Sequence, residues 1–183
     1  MTVPTEPRII AEVGGLAVAE RGPLVLLVDR GTGRWATLAF VVGVLAVVFG
    51  GFGAVALMLA ANDHAPLAWW LGATFLSVGV AAAGAAFVVV GRIRAEKARP
   101  LGDYRPVAVF DRARRVFVDA DGRVVAPLDQ VRLHRRTQLA SSSPALVAST
   151  PNGARILKRG NPFNGGIGQL DVVLTGLLFG SPR

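Results

Sequence analysis

Two long stretches of this chain carry no charge at all, and their pattern differs from everything around them. From Ala36 to Ala61 there are 26 residues in which Thr37 is the one clearly polar side chain; from Ala65 to Gly91 there are 27, interrupted only by Thr74 and Ser77. A hydrocarbon core about 30 Å thick needs about 20 helical residues, so each run is long enough to span with some tilt. Lipid offers no partner to a backbone amide, and a spanning stretch of this kind is therefore expected to be a helix. Asn62-Asp63-His64-Ala65-Pro66 between them is too short for anything but a hairpin turn.

After Pro106 the pattern changes to short apolar runs separated by turns. Val107–Phe110 is one run, and Val116–Val118 and Val124–Val125 flank Asp121-Gly122, a strong hairpin signal. In Val131–Leu139, read as a strand, Arg132, His134 and Arg136 share one face while Val131, Leu133 and Leu139 share the other. A second hairpin is expected from Ala145–Ser149 through Asn152-Gly153 to Arg155–Lys158. Beyond the loop Gly160–Gly166, Ile167, Leu170, Val173, Leu174, Leu177 and Leu178 have helical spacing, stopped by Gly180 and Pro182. These patterns divide the chain into an N-terminal arm (1–35), spans at 36–61 and 66–91 around a turn at 62–65, a basic linker (92–105) and a C-terminal domain (106–183).

Hairpins closed by one amphipathic C-terminal helix make an α+β module. From Phe110-Asp111-Arg112 through the strand beginning at Val131, the order of elements over residues 105–180 resembles the pleckstrin-homology-like fold, a bent antiparallel sheet with a C-terminal helix. The region is short for that fold. Leu24–Val28 reads as a strand, and the N-terminal arm is expected to add it to the C-terminal sheet. The whole chain looks similar to the small two-span membrane proteins of actinobacteria that carry such a tail.

Charge sets the orientation. The segment 92–183 has net charge +9, the first 35 residues balance, and Asp63 brings the total to +8. Arg30 and Arg34 precede the first span, Arg92, Arg94, Lys97 and Arg99 follow the second, and the turn has no Lys or Arg. The positive-inside rule places both termini in the cytoplasm, here of a bacterial plasma membrane. Trp35, Trp69 and Trp70 stand at span ends, where indoles favour the interface. No removable signal peptide is read in the polar first 35 residues. Basic residues that are nearly all Arg, with abundant Ala, Gly and Val, suggest a GC-rich bacterial genome.

The candidate chemistry is sparse. There is no cysteine, which removes thiolate nucleophiles, disulfides and Cys-ligated metal. Neither span holds an ionisable residue, which argues against a transport path or a haem between the helices. His134 and His64 are isolated, so no metal or cofactor is expected. Small residues at close spacing, Ala39, Gly43, Ala46, Gly50 and Ala54 in the first span and Ala73, Ser77, Ala81 and Ala85 in the second, would let helices approach closely. They serve either other membrane proteins or the hairpin itself. Arg159, Gly165 and Gly166 ahead of the C-terminal helix form a weak anion-loop candidate without the P-loop fingerprint. Ser141-Ser142-Ser143-Pro144 reads as a loop.

The most prominent constellation is basic: Arg132, His134 and Arg136, with Arg135, Arg112, Arg114 and Arg115 nearby in sequence. Anionic lipid head groups attract such clusters at about 1 kcal/mol per residue, and an acidic protein surface would serve as well. Nucleic acid fits the charge, but the tail has few aromatics to stack on bases. These features suggest a non-enzymatic accessory or scaffold subunit of a larger plasma-membrane complex. Two alternatives stand beside it: a membrane-tethered enzyme acting on a phosphorylated or lipid substrate, and an autonomous anionic-lipid-binding module.

Overall fold

The computed structural model describes residues 6–62, 68–139, 141–164 and 166–180. The chain forms two units, one built from residues 1–33 and 96–183 and the other from residues 34–95. The turn residues Asp63, His64, Ala65 and Pro66, together with Gly165 and Pro182, lie outside the described residues.

The described residues of the first unit form nine strands. β1 (Arg8–Val13), β2 (Leu16–Arg21), β3 (Leu24–Asp29), β4 (Pro106–Asp111), β5 (Val116–Asp119) and β6 (Val124–Pro127) form one antiparallel meander in chain order. β7 (Arg132–Gln138), β8 (Ser141–Thr150) and β9 (Gly153–Lys158) form a second sheet, and a helix, Leu170–Phe179, follows. β3 pairs directly with β4, Val25 opposite Phe110 and Leu26 opposite Val109. The helical unit is therefore an insertion between two neighbouring strands. The N-terminal arm contributes three strands to this sheet, β1 and β2 as well as the Leu24–Val28 run.

Both faces of the large sheet are apolar. Leu16, Val18, Val25, Leu27, Phe110 and Phe117 point into a core that also takes Leu146, Ala148 and Leu157 from the second sheet and Ile167, Leu170 and Leu174 from the end of the chain. Phe110 and Phe117 stack with ring centroids 5.0 Å apart. On the other face, one cross-strand row runs Ile9, Ala19, Leu26, Val109, Val118, Val124 across all six strands. Near β2 and β3 this second face is covered by Leu101 and Tyr104, which pack with Ala17, Ala19 and Val28. That double burial explains why β2 and β3 are continuous apolar runs without alternation.

Turn chemistry places the β5–β6 and β8–β9 hairpins where the sequence suggests them, whereas Ser141–Pro144, which read as a loop, form the start of β8, held by its pairing with β7. Gly122, after Asp121, takes φ +78°, and the Asp119 carboxylate accepts the backbone N–H of Asp121 and of Arg123, both at 3.0 Å. β7 departs from the simple alternation. A register shift between Arg136 and Gln138 turns Leu139 away from the Val131–Leu133 side, and Leu139 is fully exposed. The last helix begins at Leu170 rather than at Ile167, although Ile167 is buried just before it.

The second unit is two long helices, α1 (Gly33–Ala61) and α2 (Trp69–Ala98); the C-terminal helix is α3. Both are long and apolar enough to cross a membrane, and large apolar side chains such as Val47 (75% exposed) and Phe87 (79%) are uncovered. α2 continues past Gly91 through Arg92–Ala98, residues that read as a linker, because Arg, Ala, Glu and Lys are good helix formers; Pro100 comes just after its end. Residues 96–98 of α2 belong to the sheet unit.

Candidate functional site

The arginines that looked like one basic surface fall into two groups on different sheets. Arg112, Arg114 and Arg115 lie at the turn between β4 and β5. Arg112 is engaged: its guanidinium binds Glu20 and donates to the carbonyl of Gly22 at 2.9 Å, fastening β4 to the β2–β3 turn. Arg114 is exposed, and its backbone N–H donates to Asp111 at 2.9 Å. Arg115 has φ +55°, a conformation that closes the turn, and its carbonyl accepts the Leu128 N–H at 2.9 Å.

Arg132, His134 and Arg136 share the outer face of β7, and all three are exposed. Opposite them on β8 stand Ser149, Val147 and Ala145, and Ile156 of β9 lies beyond Val147. Among the described residues none of the three has an ion-pair partner. Arg135 points to the other face, where its guanidinium holds the Asp171 carboxylate in the first turn of α3 at 2.8 and 2.9 Å. The hydrogen bond to Asp171 raises the Arg135 pKa above its ordinary value. Arg135 thus tethers α3 and does not extend the basic row. Arg155 is likewise engaged, with Asp119 at 2.9 Å. Backbone donation from Arg123 first, and the Arg155 guanidinium among the further causes, hold the Asp119 carboxyl below its usual range.

Of the small-residue ridges, Gly50 enters the close contact between the two helices, while Ser77, Ala81 and Ala85 stay exposed. Glycines make that contact. A Cβ on Gly79 would overlap the backbone of Gly50, and one on Gly53 would stand 2.7 Å from Leu76 Cα and 2.8 Å from the Gly72 carbonyl oxygen. Phe75 stacks on Phe49 at 5.6 Å and meets Phe52 edge-on at 5.0 Å beside them. Of the ridge residues, Gly50 lies in this contact, Ala46 and Ala73 are half-buried, and Ala54, Ser77, Ala81 and Ala85 are exposed. The Ser77 hydroxyl donates to the Ala73 carbonyl at 2.8 Å.

The glycine-rich loop before α3 is a fastening. Asn161 Nδ2 donates to the Gly33 carbonyl at 3.0 Å, while Asn164 Nδ2 binds the Gly14 carbonyl and lies 3.1 Å from Thr32 Oγ1. Gly166 donates its N–H to the Asn161 carbonyl at 3.0 Å. The loop's polar groups are thereby spent joining the β1–β2 turn to the residues leading into α1. Of the anion-loop candidates, Arg159 is exposed, Gly166 donates within the loop, and Gly165 lies outside the described residues.

Sequence reasoning used Arg30 only for orientation, yet it is the most deeply buried charge, 6% exposed. Its Nη1 donates to the carbonyls of Glu96 and Lys97 in the last turn of α2 and of Arg99 just beyond it, the last at 3.1 Å. Glu12 Oε1 lies 3.6 Å from Nε, and the guanidinium carbon is 5.8 Å from the Tyr104 ring centroid. Tyr104 donates its hydroxyl to the Glu96 carbonyl at 2.7 Å; burial first, then the Glu96 carboxylate, push its pKa up. The local signal for this cluster was Asp29-Arg30, two opposite charges directly after the apolar run Leu24–Val28.

No family model matches the chain, and neither curated proteins nor solved structures give a match to it.

Proposed function

We propose that the chain is a two-span membrane protein, with both ends of its helical pair in the cytoplasm, acting as a non-enzymatic accessory or scaffold subunit of a larger plasma-membrane assembly. The pairing of β3 with β4 is the observation that carries the topology. Strands on either side of the insertion belong to one sheet, so the chain must return to the side it left, which requires an even number of crossings. Arg30, Arg34, Arg92, Arg94, Lys97 and Arg99 flank the pair at that end and favour the cytoplasmic side.

The subunit role rests on what the helices leave uncovered. Their mutual contact uses glycines, so Ser77, Ala81 and Ala85 remain as an outward ridge on which another membrane helix packs. In the sheet unit the row Arg132, His134 and Arg136 offers an acidic protein or an anionic head group two guanidinium groups that have no ion-pair partner among the described residues. Two sheets closed by α3 support a pleckstrin-homology-like reading of this unit, with β1–β3 supplying the strands that residues 105–180 lack. The tethered-enzyme alternative draws less support, because Arg155 and the Gly160–Gly166 loop serve internal contacts.

Extraction in mild detergent, followed by size-exclusion chromatography and mass spectrometry, tests the reading. A reproducible co-purifying integral membrane protein, released by Ala81→Leu, is the expected result. A lone monomer or homodimer refutes it.

A further inference from the structure

The segment after α2 crosses the second face of the large sheet and leaves a groove of two chambers. One, of about 340 Å3, is walled by Ala19, Leu26, Val28 and Tyr104, with Arg21 also in its wall. The other, of about 590 Å3, is walled by Ile9, Arg30, Lys97 and Arg99. Pro7, Leu101 and Gly102 belong to both, so the chambers adjoin. An apolar chamber of a few hundred Å3 beside a few convergent polar groups is the usual form of a small-molecule site.

The basic chamber has donors left over. Arg30 is nine-tenths buried, yet its Nε has no hydrogen-bond partner, and the Glu12 carboxylate at 3.6 Å is beyond bonding distance. A buried guanidinium N–H without an acceptor is costly. Lys97, in the same wall, has no ion-pair partner among the described residues, whereas Arg99 is held by Glu96 at 3.3 Å. Glu6 is the one acid in the lining. The carbonyls at the end of α2 would repel an anion, but Arg30 Nη1 already covers three of them.

We infer that this groove binds a phosphate-headed amphiphile, its phosphate between Lys97 and Arg30 and its acyl chain in the chamber over Leu26 and Val28. The inference rests on the membrane reading for the supply of such a ligand: α2 carries its last apolar run to Gly91, and Lys97 follows six residues, about 9 Å, further along the helix. That rise takes Lys97 from the hydrocarbon edge through the head-group layer.

The test uses the full chain in nanodiscs of equimolar phosphatidylglycerol and phosphatidylcholine, released for native mass spectrometry. The expected result is one phosphatidylglycerol retained per chain. Lys97→Glu reverses the charge at the phosphate, and Gly102→Phe places a ring at the junction, where a Cβ on Gly102 meets nothing within 4 Å. Each variant is expected to lower retention about tenfold, a difference of about 1.4 kcal/mol in binding, while Arg123→Glu, at an exposed turn position outside the groove, leaves it unchanged. Retention that ignores both groove variants, or no retained lipid, overturns the inference. Thermal stabilisation by inorganic phosphate equal to that by lysophosphatidylglycerol also overturns it, since the acyl chain would then contribute nothing. A chain that purifies without detergent sinks the membrane reading instead, and lysophosphatidylglycerol titrated in plain buffer then decides the groove alone.

Discussion

Deleting the helical pair should leave a folded protein, whereas deleting the N-terminal arm should not. The sheet unit comprises residues 1–33 and 96–183, and its two halves meet where β3 pairs with β4. Arg30 reaches the carbonyls of Lys97 and Arg99, so the chain comes within about one arginine length of itself three residues or fewer from each cut end. A flexible Gly/Ser linker of about eight residues has a root-mean-square span of about 16 Å, ample for that gap. Exchanging the 62 residues of the insertion for such a linker lowers the loop-closure cost by at most about 2 kcal/mol, in the stabilising direction.

The opposite truncation is severe. Residues 100–183 alone lose Leu16, Val18, Val25 and Leu27 from the core. At about 1.5–3 kcal/mol for each buried side chain, that is about 6–12 kcal/mol, comparable to the whole stability of a domain. Circular dichroism and urea unfolding of the two proteins check the argument. A single cooperative transition is expected for the linked 6–33/96–183 protein and none for 100–183. An unfolded linked protein, or a cooperative 100–183, refutes the reasoning.

Three further outcomes follow from single contacts. Gly79→Leu drives a side chain into the Gly50 backbone and should cost at least about 1–3 kcal/mol of helical-pair stability, seen as a lower unfolding temperature in detergent, while Ala85→Leu on the exposed ridge should be nearly silent. Arg30→Ala leaves the carbonyls of Glu96, Lys97 and Arg99 without their donor and Glu12 without the positive charge 3.6 Å away, and should cost about 3–5 kcal/mol, read from urea unfolding of the linked protein. Asp119 has a depressed carboxyl pKa, so its contribution is present above the unfolded carboxylate value near 3.9 and is lost as pH falls through the lower folded value; Asp119→Asn should flatten stability against pH below about 4, measured by denaturation at several pH values.

What could be read from the sequence were features that local chemistry sets on its own. Uncharged runs of 26 and 27 residues specify long apolar helices, and Asp121-Gly122 and Asn152-Gly153 specify hairpins because their glycines accept positive φ. β1 and β2 were passed over for the same reason in reverse. Leu16–Ala19 shows no alternation, because both of its faces are buried, and the Gly14-Gly15 turn beside it carries no neighbouring Asn or Asp. The register shift in β7 was equally hidden, since a bulge depends on the partner strand and not on the residues that flank it.

The functional side chains show where sequence spacing loses its power. Four-residue spacing selected the alanines of α2, but a close crossing selects residues without a Cβ, and Gly72 and Gly79 stand seven apart, two helical turns, on the face toward Gly53 and Gly50. Which arginines remain available to a partner depends on acids far away in the chain: Glu20 takes Arg112, Asp171 takes Arg135 and Asp119 takes Arg155, across separations of 92, 36 and 36 residues. For Arg112 and Glu20, it is the antiparallel pairing of strands from both sides of the insertion that brings the groups together. The same pairing brings Arg30 to the end of α2, so the groove beside Lys97 exists only once the sheet has closed across the helical pair. A ligand in that groove should therefore stabilise the joined sheet against separation of its two halves.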